Sequence, residues 1–164
     1  MKRIAVILVA CLAFVSVYAQ TEAETLWDNL KGQGQVSMYF SIKGTDSDGV
    51  VVTSEDGTAY MNGECYRIEC GDMLICCDGE SMWMYNSSSE ELVIDRNEAL
   101  PFMRATDVKR DQRGAIYATY EADDITFRVK ITDVQNPTKP FAPNYFTIDV
   151  KSLSDDVIVT DLRE

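Results

Sequence analysis

Residues 50–94 read VVVTSEDGTAYMNGECYRIECGDMLICCDGESMWMYNSSSEELVI. Short apolar-alternating runs are separated by Asp56-Gly57, Asn62-Gly63, Gly71-Asp72, Asp78-Gly79 and the polar break at 86–89. Asn-Gly and Asp-Gly supply the positive φ that two-residue hairpin turns require. The stretch therefore predicts a β-meander with a turn at each mark. A two-residue turn at Gly71-Asp72 sets Cys70 opposite Met73 and Tyr66 opposite Cys77, which leaves Cys65 and Cys76 diagonal on one face. In the last hairpin Trp83 and Tyr85 share one face, and Met82 and Met84 share the other.

The same period of two extends outward. In GQVSMYFSIKG (34–44), Val36, Met38, Phe40 and Ile42 point one way, and TDSDG (45–49) closes a hairpin. Before it, TEAETLWDNL (21–30) spaces Ala23, Leu26, Trp27 and Leu30 as one helical face, with Gly32 as a stop. Downstream, 97–109 is irregular, with ALPFM (99–103) as a short helix or loop. GAIYATYEADDITFRVKITDV (114–134) gives two strands turning at 122–124. NPTKPFAPN (136–144) holds three of the four prolines and reads as a loop. YFTIDVKSL (145–153) reads as a strand and DDVIVTDLR (155–163) as an extended end. The expected fold is mainly β with short helices. Eight to ten antiparallel strands form a single curved sheet, an incomplete barrel lidded by the N-terminal helix and by loop or helix insertions.

Residues 1–19 stand apart from this pattern. Met1-Lys2-Arg3 is a basic start, 4–17 is nearly all apolar, and Val17-Tyr18-Ala19 offers small residues to a signal peptidase. The expected organisation is a signal peptide over 1–19 and one domain over 20–164. Leu8-Val9-Ala10-Cys11 resembles a lipobox, but the apolar run continues past Cys11, so a free exported protein is expected rather than a lipid-anchored one. Losing Lys2 and Arg3 takes the formal net charge from −12 to about −14. Such a surface disfavours nucleic acid and anionic lipid headgroups as partners.

Histidine is absent, which excludes Ser-His-Asp and Cys-His nucleophile systems and Cys/His zinc sites. Cys65, Cys70, Cys76 and Cys77 form no CxxC motif. In an oxidising compartment a Cys65–Cys76 disulfide and a set of buried apolar thiols are both open readings. Asp46-x-Asp48-Gly49 is a fragment of a calcium loop lacking the rest, and reads as a turn. Asn86-Ser87-Ser88 is a glycosylation sequon and also an ordinary turn. Neighbours on a strand point to opposite faces, so Glu90-Glu91 and Asp123-Asp124 do not converge as acid/base pairs. No catalytic residue, metal or cofactor is expected, and the protein is not expected to be an enzyme.

What remains is apolar. A sheet of eight or more strands has one broad inner face, and a ten-residue helix covers only about 15 Å of it. A cavity is therefore expected over a filled core. Its lining is expected from Val36, Met38, Phe40, Ile42, Tyr60, Tyr66, Ile68, Trp83, Tyr85, Phe102, Phe127 and Phe146.

The order of these pieces resembles the LolA family of periplasmic outer-membrane lipoprotein carriers. The shared order runs from a short amphipathic helix and a strand to a Gly-Thr-x-Tyr strand (57–60) and an aromatic-Arg-x-Glu strand (66–69). The Asp-Gly…Trp-x-Tyr hairpin at Asp78, Gly79, Trp83 and Tyr85 follows, and FTIDVKSLSDDVIVTDLR (146–163) resembles the chain end of shorter members. The resemblance implies an open β-barrel in the periplasm that shields the acyl chains of lipoproteins. Its partners would be an inner-membrane ABC-type extractor and an outer-membrane acceptor, and the carrier itself a monomer. The family's lid-latching arginine sits in an Arg-Pro-Gly turn, and here that turn is Met61-Asn62-Gly63. A lipoprotein- or lipid-sensing regulator on the same fold is the alternative reading, and a thiol-dependent enzyme a more distant one.

Overall fold

The computed structural model describes residues 20–97, 105, 107–122 and 124–163; of residues 20–24 and 27 it describes the backbone only. Phe102, the ALPFM segment and the signal peptide fall outside the described residues.

Helix α1 (Gln20–Gly32) leads into ten strands: β1 (Gln35–Thr45), β2 (Val51–Asn62), β3 (Cys65–Cys70), β4 (Met73–Cys77), β5 (Ser81–Asn86), β6 (Glu91–Arg96), β7 (Asp107–Arg110), β8 (Ile116–Ala122), β9 (Ile125–Gln135) and β10 (Ile158–Asp161). They form one sheet in the order β10-β6-β5-β4-β3-β2-β1-β9-β8-β7, with β10 and β7 as its two edges. The sheet is unclosed. Every pairing is antiparallel except that of β10 with β6, which is parallel.

The turns follow from local chemistry. Gly71 takes φ +54° between β3 and β4, where a side chain would be strained. The resulting register pairs Cys70 with Met73 and Tyr66 with Cys77, as the two-residue turn requires. The Asp78 carboxylate accepts from the Glu80 and Ser81 amides at 2.9 and 2.8 Å and fixes the start of β5. The Asn86 side-chain oxygen accepts from the Ser88 amide and hydroxyl and the Ser89 amide, so the sequon asparagine is a buried turn former. The Asp46 carboxylate likewise accepts from the Asp48 and Val50 amides, closing the β1–β2 hairpin.

Two expectations are corrected. Asp56-Gly57 is no turn: both residues lie inside β2, with Gly57 opposite Phe40. The glycine is there for space. A Cβ on it would meet the Phe40 ring and come within 2.6 Å of the Glu69 carbonyl oxygen. The segment 145–153 is no strand either. Its only regular piece is a 3-10 turn (Val150–Ser152) capped by the Asp149 side chain, which accepts from the Lys151 amide. Pro140 and Pro143 lie upstream of it, and proline cannot donate to a ladder.

The sheet has two differently covered faces. On the front, α1 contacts β2, β1 and β7. A 13-residue helix is about 20 Å long, close to the roughly 19 Å from β2 to β7, so α1 lies across the strands. Leu26 and Leu30 pack on Val36, Met38, Met61 and their neighbours, and Lys31 pairs with Glu64 at 2.8 Å beside the β2–β3 turn.

On the back, residues 136–157 form a strap that leaves β9 and crosses the sheet. The Asn136 side chain donates to the Gln35 carbonyl at 3.1 Å, and the Phe141 amide donates to Gln35 Oε1 at 2.9 Å. Over β2 and β3, Phe141 stacks on Tyr145 (5.0 Å between centroids), and both meet Tyr60 edge-on at 6.0 and 5.4 Å. Arg67 lies 5.2 Å from the Tyr145 ring and donates to the Tyr145 carbonyl oxygen. Farther on, Ile148, Leu153 and Val157 cover Cys76, Trp83, Leu92 and Ile94. The strap ends in β10, whose Ile158 amide donates to the Glu90 carbonyl at 2.8 Å. Because the strap carries the chain across the back before it joins β6, β10 adds in the parallel sense.

Candidate functional site

The front face is built by carrying one register across the sheet. Val36 and Met38 on β1 oppose Met61 and Ala59 on β2, which oppose Tyr66 and Ile68 on β3. These oppose Cys77 and Ile75 on β4, and then Met82 and Met84 on β5. In the other direction Phe40 and Ile42 oppose Ile131 and Val129 on β9, which oppose Ile116 and Ala118 on β8. One apolar surface therefore runs from β5 to β8. It separates into two buried clusters. One contains Val36, Met38, Met61, Tyr66, Ile68, Ile75, Cys77 and Met82 with Leu30 of the helix. The other contains Ala105, Ala118, Tyr120, Phe127 and Val129 among the described residues. Phe40 and Ile131 touch both.

Between the clusters the covering thins. Phe40, Ile42 and Ile131 are only half-buried although β1 and β9 are interior strands, while Val36 and Phe127 on either side are buried completely or nearly so. Met84 is half-buried at the β5 end. These positions form a less covered apolar strip on the front, with no charged side chain among its named members.

The predicted lining residues divide between the faces. Val36, Met38, Phe40, Ile42, Tyr66, Ile68 and Phe127 are together on the front. Tyr60, Trp83 and Tyr85 are on the back, and Phe146 belongs to the strap that covers that side. The greasiest hairpin thus serves both faces: Met82 and Met84 look forward, while Trp83 lies buried with Ile148 and Leu92. Sequence reasoning missed Met61, Ile75, Met82, Met84, Val129 and Ile131 as front-face members. The signal was available, since alternation carried from Val36 through each turn assigns all six.

Cys65, Cys70, Cys76 and Cys77 are free thiols. The Cys65 thiol donates to the Asp78 carbonyl at 3.2 Å, and the Cys76 sulfur receives an Arg67 guanidinium hydrogen at 3.6 Å. Burial pushes all four thiols up, Cys70 and Cys76 to about 11, and Glu55 and Asp56 add to the effect at Cys70. They are therefore protonated near neutral pH and are poor nucleophiles. Among the described residues no group of three or more Cys, Asp or Glu is placed to hold a metal ion, and no helix is long and apolar enough to cross a membrane.

No family model and no curated protein matches the chain. Among solved structures, the chain is similar to an uncharacterized conserved protein from Thermus thermophilus, with a TM-score of 0.49 and 12% sequence identity. The match covers 85% of this chain and 99% of that one.

Proposed function

We propose that the protein is a periplasmic carrier of acyl chains, on a LolA-like incomplete barrel, whose cargo is lipoproteins travelling from the inner to the outer membrane. The observation that carries this reading is the half-buried centre of the front face. Phe40, Ile42 and Ile131 expose apolar surface at the middle of an unclosed sheet, between two clusters that are closed. Each methylene that leaves water for such a surface gains about 0.8 kcal/mol, so moving acyl chains through an aqueous space needs a covered slot and no chemistry. Methionines along the slot suit chains of variable length. The exported, lipid-free form and the inner- and outer-membrane partners belong to the same proposal.

The test is to express the full chain, recover the processed protein from the periplasmic fraction and examine the co-eluting material by mass spectrometry. Acylated protein is expected in the native protein and reduced in a Phe40→Ser, Ile131→Ser variant. Persistent absence of any acylated species from the folded native protein would overturn the reading.

A further inference from the structure

The strap leaves one part of the back face open, where β1, β9, β8 and β7 present a second surface of opposite character. Two cross-strand rows define it. Lys43 opposes Arg128, which opposes Thr119 and then Asp107; in the next row Asp56 opposes Ser41, which opposes Lys130, then Tyr117 and then Lys109, so Asp56 on β2 bounds the patch on its β2 side. Directly opposed residues of an antiparallel pair share a face, so Lys43, Arg128, Lys130 and Lys109 converge on one patch. A groove of about 630 Å³ opens there, lined by Asp107, Lys109, Arg110, Asp111, Tyr117, Thr119 and Arg128.

The acids in this groove are already engaged. Asp107 pairs with Lys109 at 2.5 Å. Asp111 accepts from the Arg113 and Ala115 amides at 2.8 and 2.9 Å and from the Tyr117 hydroxyl. Arg128, Arg110 and Lys43 make no hydrogen bond or ion pair among the described residues, and Lys130 only lies over the Tyr117 ring at 5.8 Å. Lys43 directly opposite Arg128 is a like-charge pair, which costs the sheet stability. The chain has 27 acidic and 15 basic residues, so a local cationic surplus stands against its general character. On a chain of net negative charge, such a patch draws an approaching anion.

The geometry points to a binding site for a phosphate-class oxyanion, carried by a small soluble molecule or a lipid headgroup. Arg128 and Lys43 are its primary partners, and Lys130 and Arg110 complete it. A guanidinium offers two parallel donors that match two oxygens of one phosphate, and the opposed ammonium neutralises the remaining charge. The bound anion would also relieve the Lys43–Arg128 repulsion. The site is on the opposite face from the apolar strip and does not depend on the acyl-carrier reading.

The test expresses the full chain and titrates the purified protein at low ionic strength with inorganic phosphate, with glycerol 3-phosphate, and with vesicles of phosphatidylglycerol or of phosphatidylcholine. Amide chemical shifts are expected to move at positions 43, 117, 128 and 130. Arg128→Gln and Lys43→Gln should each weaken binding about tenfold, whereas Lys151→Gln on the strap should leave it unchanged. Without anion, Lys43→Gln should raise the thermal midpoint; phosphate should raise that of the native chain and not that of Arg128→Gln. Binding to the soluble phosphates names a small-molecule ligand, and binding confined to phosphatidylglycerol vesicles names a headgroup. Either supports the site if Arg128→Gln weakens it about tenfold. Equal binding by native chain and Arg128→Gln overturns it, as does absence of binding to every phosphate source. A glutamate-rich peptide that moves the same amides while no phosphate does would overturn it in favour of an acidic protein partner.

Discussion

Cys76 is wholly buried on the back face, opposite Trp83 and next to Ile148 and Leu92. Burial raises its thiol to about 11 from an ordinary 9.0; the Arg67 guanidinium pulls it down without offsetting that effect. The unfolded thiol releases its proton near the ordinary value, while the folded one holds it two pH units longer. Between about pH 9 and about pH 11 the folded state therefore binds more protons, and stability falls as pH rises through that window. Cys70, raised in the same way, adds to the slope. Denaturant midpoints measured across this window should decline, and Cys76→Ala, less stable at neutral pH, should show a shallower decline. An unchanged slope would mean that Cys76 ionises as freely folded as unfolded. Single residues also mark where the sequence is hard to read. Asp56-Gly57 carries the same letters as a hairpin turn, yet the glycine serves a close crossing by Phe40 from the neighbouring strand. Nothing within five residues of Gly57 distinguishes the two uses.

At the scale of elements, local signals set the meander and distant ones set the strap. Turns at Asn62-Gly63, Gly71-Asp72 and Asp78-Gly79 lie where their dipeptides predict, because positive φ and Asx chemistry are properties of a few adjacent residues. Residues 145–153 alternate like a strand, and that alternation is real: Phe146 and Ile148 are buried. The neighbour is the back of a finished sheet rather than a ladder partner, which no local pattern encodes. The residue fastening the strap is Arg67, through the Tyr145 carbonyl at 3.4 Å and the Tyr145 ring at 5.2 Å. It lies on β3, five residues after Asn62. Arg67→Ala should cost about 1–2 kcal/mol, from a charge-assisted hydrogen bond and a cation–π contact. Hydrogen exchange should localise the effect, with the Phe141 amide, bonded to Gln35 Oε1, losing protection before amides of β4 and β5. Uniform loss of protection across the sheet would show that Arg67 supports the fold as a whole and not the strap.

For the whole molecule, the two faces divide stability from capacity. Over β4 to β6 the back is finished by the chain itself: Trp83, Leu92 and Ile94 lie under Ile148, Leu153 and Val157. The front is closed on both sides of Phe40, Ile42 and Ile131, which are themselves only half-buried. Sequence alternation establishes that two faces exist, but not which one the strap claims, so a reading by apolar size alone groups Trp83 and Tyr85 with Val36 and Phe40. The division predicts opposite outcomes for two substitutions of similar size. Trp83→Ala removes a large side chain from a closed cluster and should cost about 3–5 kcal/mol. It should leave binding of a fluorescent fatty acid to the surviving folded fraction unchanged. Phe40→Ser removes a half-buried ring and should cost less. It should reduce that binding several-fold, because the ring lines the gap between the clusters and the hydroxyl puts a polar group there. Stability from urea melts and affinity from probe fluorescence, measured on the same preparations, separate the two effects. Loss of binding in Trp83→Ala with retention in Phe40→Ser would place the acyl chain beneath the strap.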